Sequence, residues 1–146
     1  NSDFLLFIVS KEECCPSGWV QFKKRCYLFS NDEMDWDSSA NSCTAMGSHL
    51  VVMDSADVEQ FKFNRKKVKH SYWIGLSDIT EEGTWRWVDG TPYTSLQFWY
   101  QGEPNNDCVE FRYYSTSSGK FSKWNDVSCT LKRRRICEKP SVRPLS

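Results

Sequence analysis

Tyr72-Trp73-Ile74-Gly75-Leu76 is an unbroken aromatic and branched run near the middle of the chain, and it reads as a buried strand. Upstream, Leu50-Val51-Val52-Met53 is a second apolar run of strand length. Between them, Ser55 to Phe63 reads as a helix, with Ser55 as N-cap and Val58, Phe61 and Phe63 apolar, and the charged loop Arg65-Lys66-Lys67-Val68-Lys69 follows. Earlier still, Trp36, Ala40, Cys43 and Met46 recur at helical spacing within Asp35 to Met46, with acidic residues at the start and Gly47 at the end. Val20-Gln21-Phe22 and Arg25-Cys26-Tyr27-Leu28-Phe29 read as a hairpin that a Cys15–Cys26 bridge would staple. The turn signals of Cys14-Cys15-Pro16-Ser17-Gly18-Trp19 open the domain. Downstream, Trp85-Arg86-Trp87-Val88 alternates as a strand into the turn Asp89-Gly90. The stretch from Thr91 to Asp107 is rich in Pro, Gly and Asn without periodicity, and loops of that length in compact domains tend to be functional. Two further strands, Cys108 to Tyr114 and Arg135 to Glu138, flank Trp124-Asn125-Asp126.

The 146 residues suit one domain with a real core. Nineteen basic and nineteen acidic residues cancel, so no global field draws the chain to nucleic acid or an anionic membrane. Seven cysteines at this length point to disulfides and an oxidising, extracellular compartment. No run approaches the roughly 18 apolar residues that span a bilayer. Phe4-Leu5-Leu6-Phe7-Ile8-Val9 leaves residues 1–13 as a stalk segment or as the remnant of an anchor or signal, ahead of a domain over 14–138 and a tail over 139–146.

Two early helices, then Trp73-Ile74-Gly75-Leu76, Glu103-Pro104-Asn105, Trp124-Asn125-Asp126 and Cys137 follow in one order over Cys14 to Glu138. That ordered set resembles the C-type lectin family, and within it the myeloid receptor lectins of the dectin-2 and Mincle group and the dendritic-cell mannose lectin. The resemblance implies an α+β C-type lectin-like fold: two helices, two small antiparallel sheets and a long loop for calcium and sugar. It also implies the pairings Cys43–Cys137, Cys108–Cys129 and Cys15–Cys26, which the sequence alone leaves open. The first closes a loop of roughly a hundred residues, a constraint of roughly 4 to 5 kcal/mol in the chain-entropy model. Cys14 is left over, which suggests an interchain bridge in a disulfide-linked dimer or a free thiol.

Calcium takes about six to eight hard oxygen ligands. On the family pattern Glu103, Asn105, Asn125 and Asp126 bind both the ion and the sugar, with the Asp126 carbonyl a further ligand. Two vicinal hydroxyls complete the shell, each accepting from an Asn amide and donating to a carboxylate. In the family the peptide bond before Pro104 is cis, at a cost of about 0.5 to 1 kcal/mol. The Glu-Pro-Asn order accompanies mannose, fucose, glucose or N-acetylglucosamine, as glycans or glycolipids. One departure stands out: Asn106-Asp107-Cys108 is continuous, whereas relatives carry extra residues there, including a Glu ligand two positions before the cysteine. Asp107 is the candidate substitute. Asp78, Glu82, Asn106 and Asp107 match the family's accessory calcium site, provided the shortened loop still gathers them.

Every one of these residues also has an ordinary role open to it. Glu103 and Asn105 suit any polar loop, Asn125-Asp126 any turn, and the tryptophans, Trp124 among them, are core anchors before they are sugar platforms. The basic runs 65–69 and 132–135 read as solvated faces, with sulfated glycans as the functional alternative. His49 and His70 lack zinc spacing, and no nucleophile elbow, phosphate loop or zinc-protease run is present, so the chain reads as no enzyme. The expected function is a calcium-dependent carbohydrate-binding receptor domain, secreted or borne by a type II membrane receptor, with membrane contact only through an anchor outside this sequence. The competing expectation is a calcium-independent domain of the same fold that binds a protein through the long loop and basic surface.

Overall fold

The helix expected over 35–46 forms as α1 (Trp36–Ala45). Asp35 caps it: its carboxylate accepts from the Ser38 N–H at 2.7 Å, and that bond holds the Asp35 carboxyl below its ordinary value. The N–H groups of Met46 and Gly47 close the last turn on the carbonyls of Cys43 and Thr44, and Gly47 adopts φ +70°, which glycine reaches without a Cβ penalty. The helix buries Trp36, Ser39 and Cys43. Two indole bonds lock its N-terminal end to the central strand: Trp36 Nε1 donates to the Ile74 carbonyl (3.0 Å) and Trp73 Nε1 to that of Met34 (2.8 Å).

The computed structural model describes residues 14–53, 70–94, 107–117 and 119–142. The helix expected over 55–63 lies outside them. The strands are β1 (Val20–Phe22), β2 (Arg25–Phe29), β3 (His49–Leu50), β4 (Tyr72–Ser77), β5 (Arg86–Trp87), β6 (Cys108–Thr116), β7 (Gly119–Val127) and β8 (Arg134–Pro140). Their path is β1-β2-β8-β4-β6-β7, with β3 also on β8 and β5 on β4. The two antiparallel sheets of the expectation, one around β2–β8 and one around β4–β6–β7, are thus joined. The joint is a short parallel pairing, Tyr72↔Arg134 and Trp73↔Arg135.

Beyond that joint β4 and β8 part, and the apolar run 51–53 fills the gap. Of the expected strand Leu50–Met53 only Leu50 enters a ladder, joined by His49 before it. The Val51 N–H donates to Ile136 (2.8 Å), while its carbonyl accepts from Gly75 (2.8 Å), so one residue bridges both sheets. A Cβ on Gly75 would lie 2.8 Å from the Leu50 carbonyl oxygen and 2.7 Å from Val88 Cγ2, so this approach requires glycine. The Val52 N–H is taken by buried Glu138 (2.9 Å), whose other oxygen meets Arg25 Nε at 3.4 Å.

The strand expected over Trp85–Val88 shortens to Arg86–Trp87. The strand β7, by contrast, was not legible: Trp124-Asn125-Asp126 sits inside it rather than in a turn. Main core side chains are Tyr27, Ile74, Leu76, Trp87, Val109, Phe111, Trp124 and Ile136. A second cluster gathers Trp36, Leu50, Trp73 and two disulfides. Trp124 is fully buried, edge-on to Trp87 at 5.4 Å, as a core anchor.

The bonds Cys15–Cys26, Cys43–Cys137 and Cys108–Cys129 are formed, with Cα separations of 5.6, 5.5 and 5.1 Å. Cys14 is an exposed free thiol. On the C-terminal side β8 runs to Pro140, the Ser141 N–H donates to the Lys24 carbonyl, and Val142 pairs with Cys14. No helix among the described residues is long and apolar enough to cross a membrane.

Candidate functional site

The end of β4, the start of β6 and the end of β7 lie abreast, in the register Ser77↔Cys108↔Val127. The candidate residues therefore come to one end of the sheet: Asp78 follows β4, Asp107 precedes β6, and Asn125-Asp126 approach the last residue of β7. The Asp78 N–H donates to the Asp107 carbonyl at 3.0 Å, and the Cys108–Cys129 bond ties β6 to the segment leaving β7. The segment after β4 then turns back. Gly83, at φ +82°, aims its N–H at Asp78 Oδ2 (2.9 Å).

That turn brings Glu82 to the same place, and oxygens of Asp78, Glu82 and Asp107 all lie within 4.8 Å of one another. Asp78 is buried, the other two are exposed, and Asp78 Oδ1 has no hydrogen-bond donor among the described residues. Such a cluster resists full ionisation. Burial first, then the neighbouring Asp107, pushes the Asp78 carboxyl above its ordinary value, and the charges of Asp78 and then Asp107 push Glu82 the same way. Three convergent carboxylates with an unsatisfied buried oxygen fit a hard divalent cation of the calcium type. The shortened segment before Cys108 thus does gather three of the four accessory residues. Asn106 lies outside the described residues.

Glu103 and Asn105 of the principal set, and the peptide bond before Pro104, also lie outside them. Asn125 and Asp126 are described, both half-buried, opposite Glu110 and Val109. Asn125 Nδ2 donates to Glu110 Oε2 at 3.0 Å. Glu110 is fully buried, and its Oε1 accepts from Arg133 Nε at 2.7 Å.

The sequence reading missed Glu110 and Arg133. Glu110 alternates with Val109 and Phe111, a pattern that ordinarily turns the polar residue to water. Arg133 belongs to the run read as a solvated face, and that reading needs correction. Arg135 is 7% exposed and pairs with Asp32 at 2.9 Å, Arg133 pairs with Glu110, and among these four residues Lys132 alone stands exposed. The only legible signal was a lone glutamate in an otherwise apolar half-strand.

Comparison with known proteins agrees with this geometry. Residues 32–139 match the family Lectin C-type domain. "C-type lectin domain family 4 member E" of Homo sapiens is 46% identical over 143 residues, which cover 94% of this chain and 64% of that protein, so the chain spans under two thirds of this relative's length. Among solved structures, the C-type lectin domain of murine dendritic cell inhibitory receptor 2 in complex with N-glycan superimposes with TM-score 0.76 at 32% identity, over 87% of this chain and 99% of that one. A calcium-independent type II antifreeze protein superimposes with TM-score 0.75 at 27% identity, over 90% and 98%. With the match running through the helix, the core sheet and two of the three disulfides, the chain belongs to the C-type lectin domain family.

Proposed function

We propose that this domain binds carbohydrate through calcium, taking glycans or glycolipids with the vicinal hydroxyls of mannose, fucose, glucose or N-acetylglucosamine, as the extracellular part of a receptor. The observation that carries the reading is the gathering of Asp78, Glu82 and Asp107 at the end of the sheet where Asn125 and Asp126 also arrive. Close carboxylates repel one another, and a fold that keeps them together with a buried oxygen unsatisfied is suited to a cation. When bound, calcium supplies a Lewis-acidic centre that polarises sugar hydroxyls. Glu103, Asn105, Asn125 and Asp126 are the proposed principal ligands and the residues that would hydrogen-bond the sugar. Asp78, Glu82, Asn106 and Asp107 are the accessory set, with Asp107 also the candidate for the carboxylate missing before Cys108. The N-glycan complex of the murine relative supports the ligand class. One shallow site buries little area, so useful avidity comes from several copies acting together. An exposed Cys14 suits a disulfide-linked dimer.

The shortened Asn106-Asp107-Cys108 segment favours a second reading, a calcium-independent domain that binds protein. Calcium calorimetry beside retention on mannose resin separates the two. The lectin reading expects calcium heat and retention in wild type, with retention and the principal site's share of the heat lost in Glu103→Gln. A wild type without calcium heat or retention would favour the protein-binding reading.

A further inference from the structure

Glu110 is a charged side chain with no exposure in the middle of a sheet, between Trp73 on β4 and Asn125 on β7. A buried carboxylate is costly unless its oxygens are taken up by donors. Here they are: Oε1 receives Arg133 Nε at 2.7 Å and Oε2 receives Asn125 Nδ2 at 3.0 Å, with Arg112 Nη1 4.0 Å from Oε2. Arg133 is itself held in place, since its backbone pairs with Met34 in both directions and its Nη1 donates to the Lys132 carbonyl (2.9 Å).

A carboxylate between such donors only accepts, whereas an amide presents a donor arm and an acceptor arm that are nearly the same shape. An Asn side chain can ordinarily turn either way. Beside Glu110 it has one choice, because an amide oxygen turned inward would face a carboxylate oxygen. The amino group is held inward and Oδ1 becomes the outward arm. One of the two Nδ2 hydrogens goes to Glu110, and the second remains for a sugar hydroxyl.

We infer that Glu110, clamped by Arg133, is a positioning residue that fixes the Asn125 amide with its oxygen presented to the cation. This rests on the calcium reading above for its consequence, but not for the orientation itself. Orienting partners of this kind typically change metal affinity about 10- to 100-fold when removed. Glu110→Gln is the informative change. Its oxygen stays with Arg133, so its own amino group faces Asn125, and the Asn125 amide must invert to offer Oδ1 inward.

Two readouts test this. Without calcium, the side-chain amide resonance of Asn125 in the wild type is expected shifted downfield and protected from exchange, and in Glu110→Gln it is expected to lose both features while the melting curve and far-UV spectrum stay folded. By calorimetry, Glu110→Gln is expected to bind calcium at the principal site about 10- to 100-fold more weakly. Adding Asn125→Asp to it is expected to recover most of the loss, because an aspartate accepts with one oxygen and keeps the other outward. A rapidly exchanging Asn125 amide in the wild type overturns the inference, and that measurement needs no variant to fold. Unchanged calcium affinity at the principal site in a folded Glu110→Gln also overturns it and leaves the calcium reading standing. A protected amide in a wild type that takes up no calcium retires the calcium reading and keeps the orientation.

Discussion

Asp78, Glu82 and Asp107 set electrostatic comfort against ligand capacity. The folded chain holds Asp78 and Glu82 above their ordinary values of 3.8 and 4.5, so between those values and the folded ones the native state binds more protons than the unfolded state. Stability from this cluster therefore falls as pH rises through that window, and above it the repulsion is fully felt. Asp107→Asn, which removes one of the three charges, is expected to melt higher than wild type in chelator at neutral pH. That gap should close as pH drops below the ordinary carboxylate range. Calcium at a hundredfold excess over its Kd should stabilise wild type by about 2.7 kcal/mol and the variant by much less. Thermal melts with calcium or chelator across pH check all three, and a variant that melts lower in chelator would contradict the repulsion argument. Nothing in the spacing of residues 78, 82 and 107 revealed this meeting. Only the family resemblance pointed there, because it depends on how β4 and β6 register.

Helix α1 was legible because cap, periodic face and terminating glycine all lie within a few residues of one another. The strand β7 was not, since Asn and Asp are depleted in strands and the pairing with β6 supplies what local preference lacks. The apolar run 50–53 showed that it is buried but not that Val51 would bridge two diverging strands. That depends on Gly75, whose missing side chain lets the Val51 carbonyl close in. Gly75→Ala sets a methyl group against the Leu50 and Val51 carbonyls as well as Val88 Cγ2, and the backbone among these contacts cannot simply swing away, so overpacking of about 1 to 3 kcal/mol or more is expected. Urea denaturation measures it. A loss below about 0.5 kcal/mol would show that the two halves of the sheet separate more easily than this packing implies.

Across the whole molecule the disulfides divide their duties. Cys43–Cys137, spanning 94 residues, anchors α1 to β8, whereas Cys108–Cys129 holds the ends of β6 and β7 beside the carboxylates. Replacing Cys108 and Cys129 with serine is expected to cost about 3 kcal/mol. Calcium affinity should also fall, read by denaturation and calorimetry on the same sample, and unchanged affinity would show that the backbone register alone keeps the site. The fold class was recognisable from ordered motifs scattered along the chain, while the joining of its two sheets rests on long-range pairing that no local pattern encodes. That pairing centres on β8, which touches β2, β3 and β4 yet is the last of the described strands in sequence. Until residues 134–140 join the sheet, the edges of β2, β3 and β4 that they cover lack their partner. Arrival of this strand also brings Cys137 to Cys43 and closes the widest of the three disulfide loops, so the slowest, most non-local step of assembly falls at the C-terminal strand.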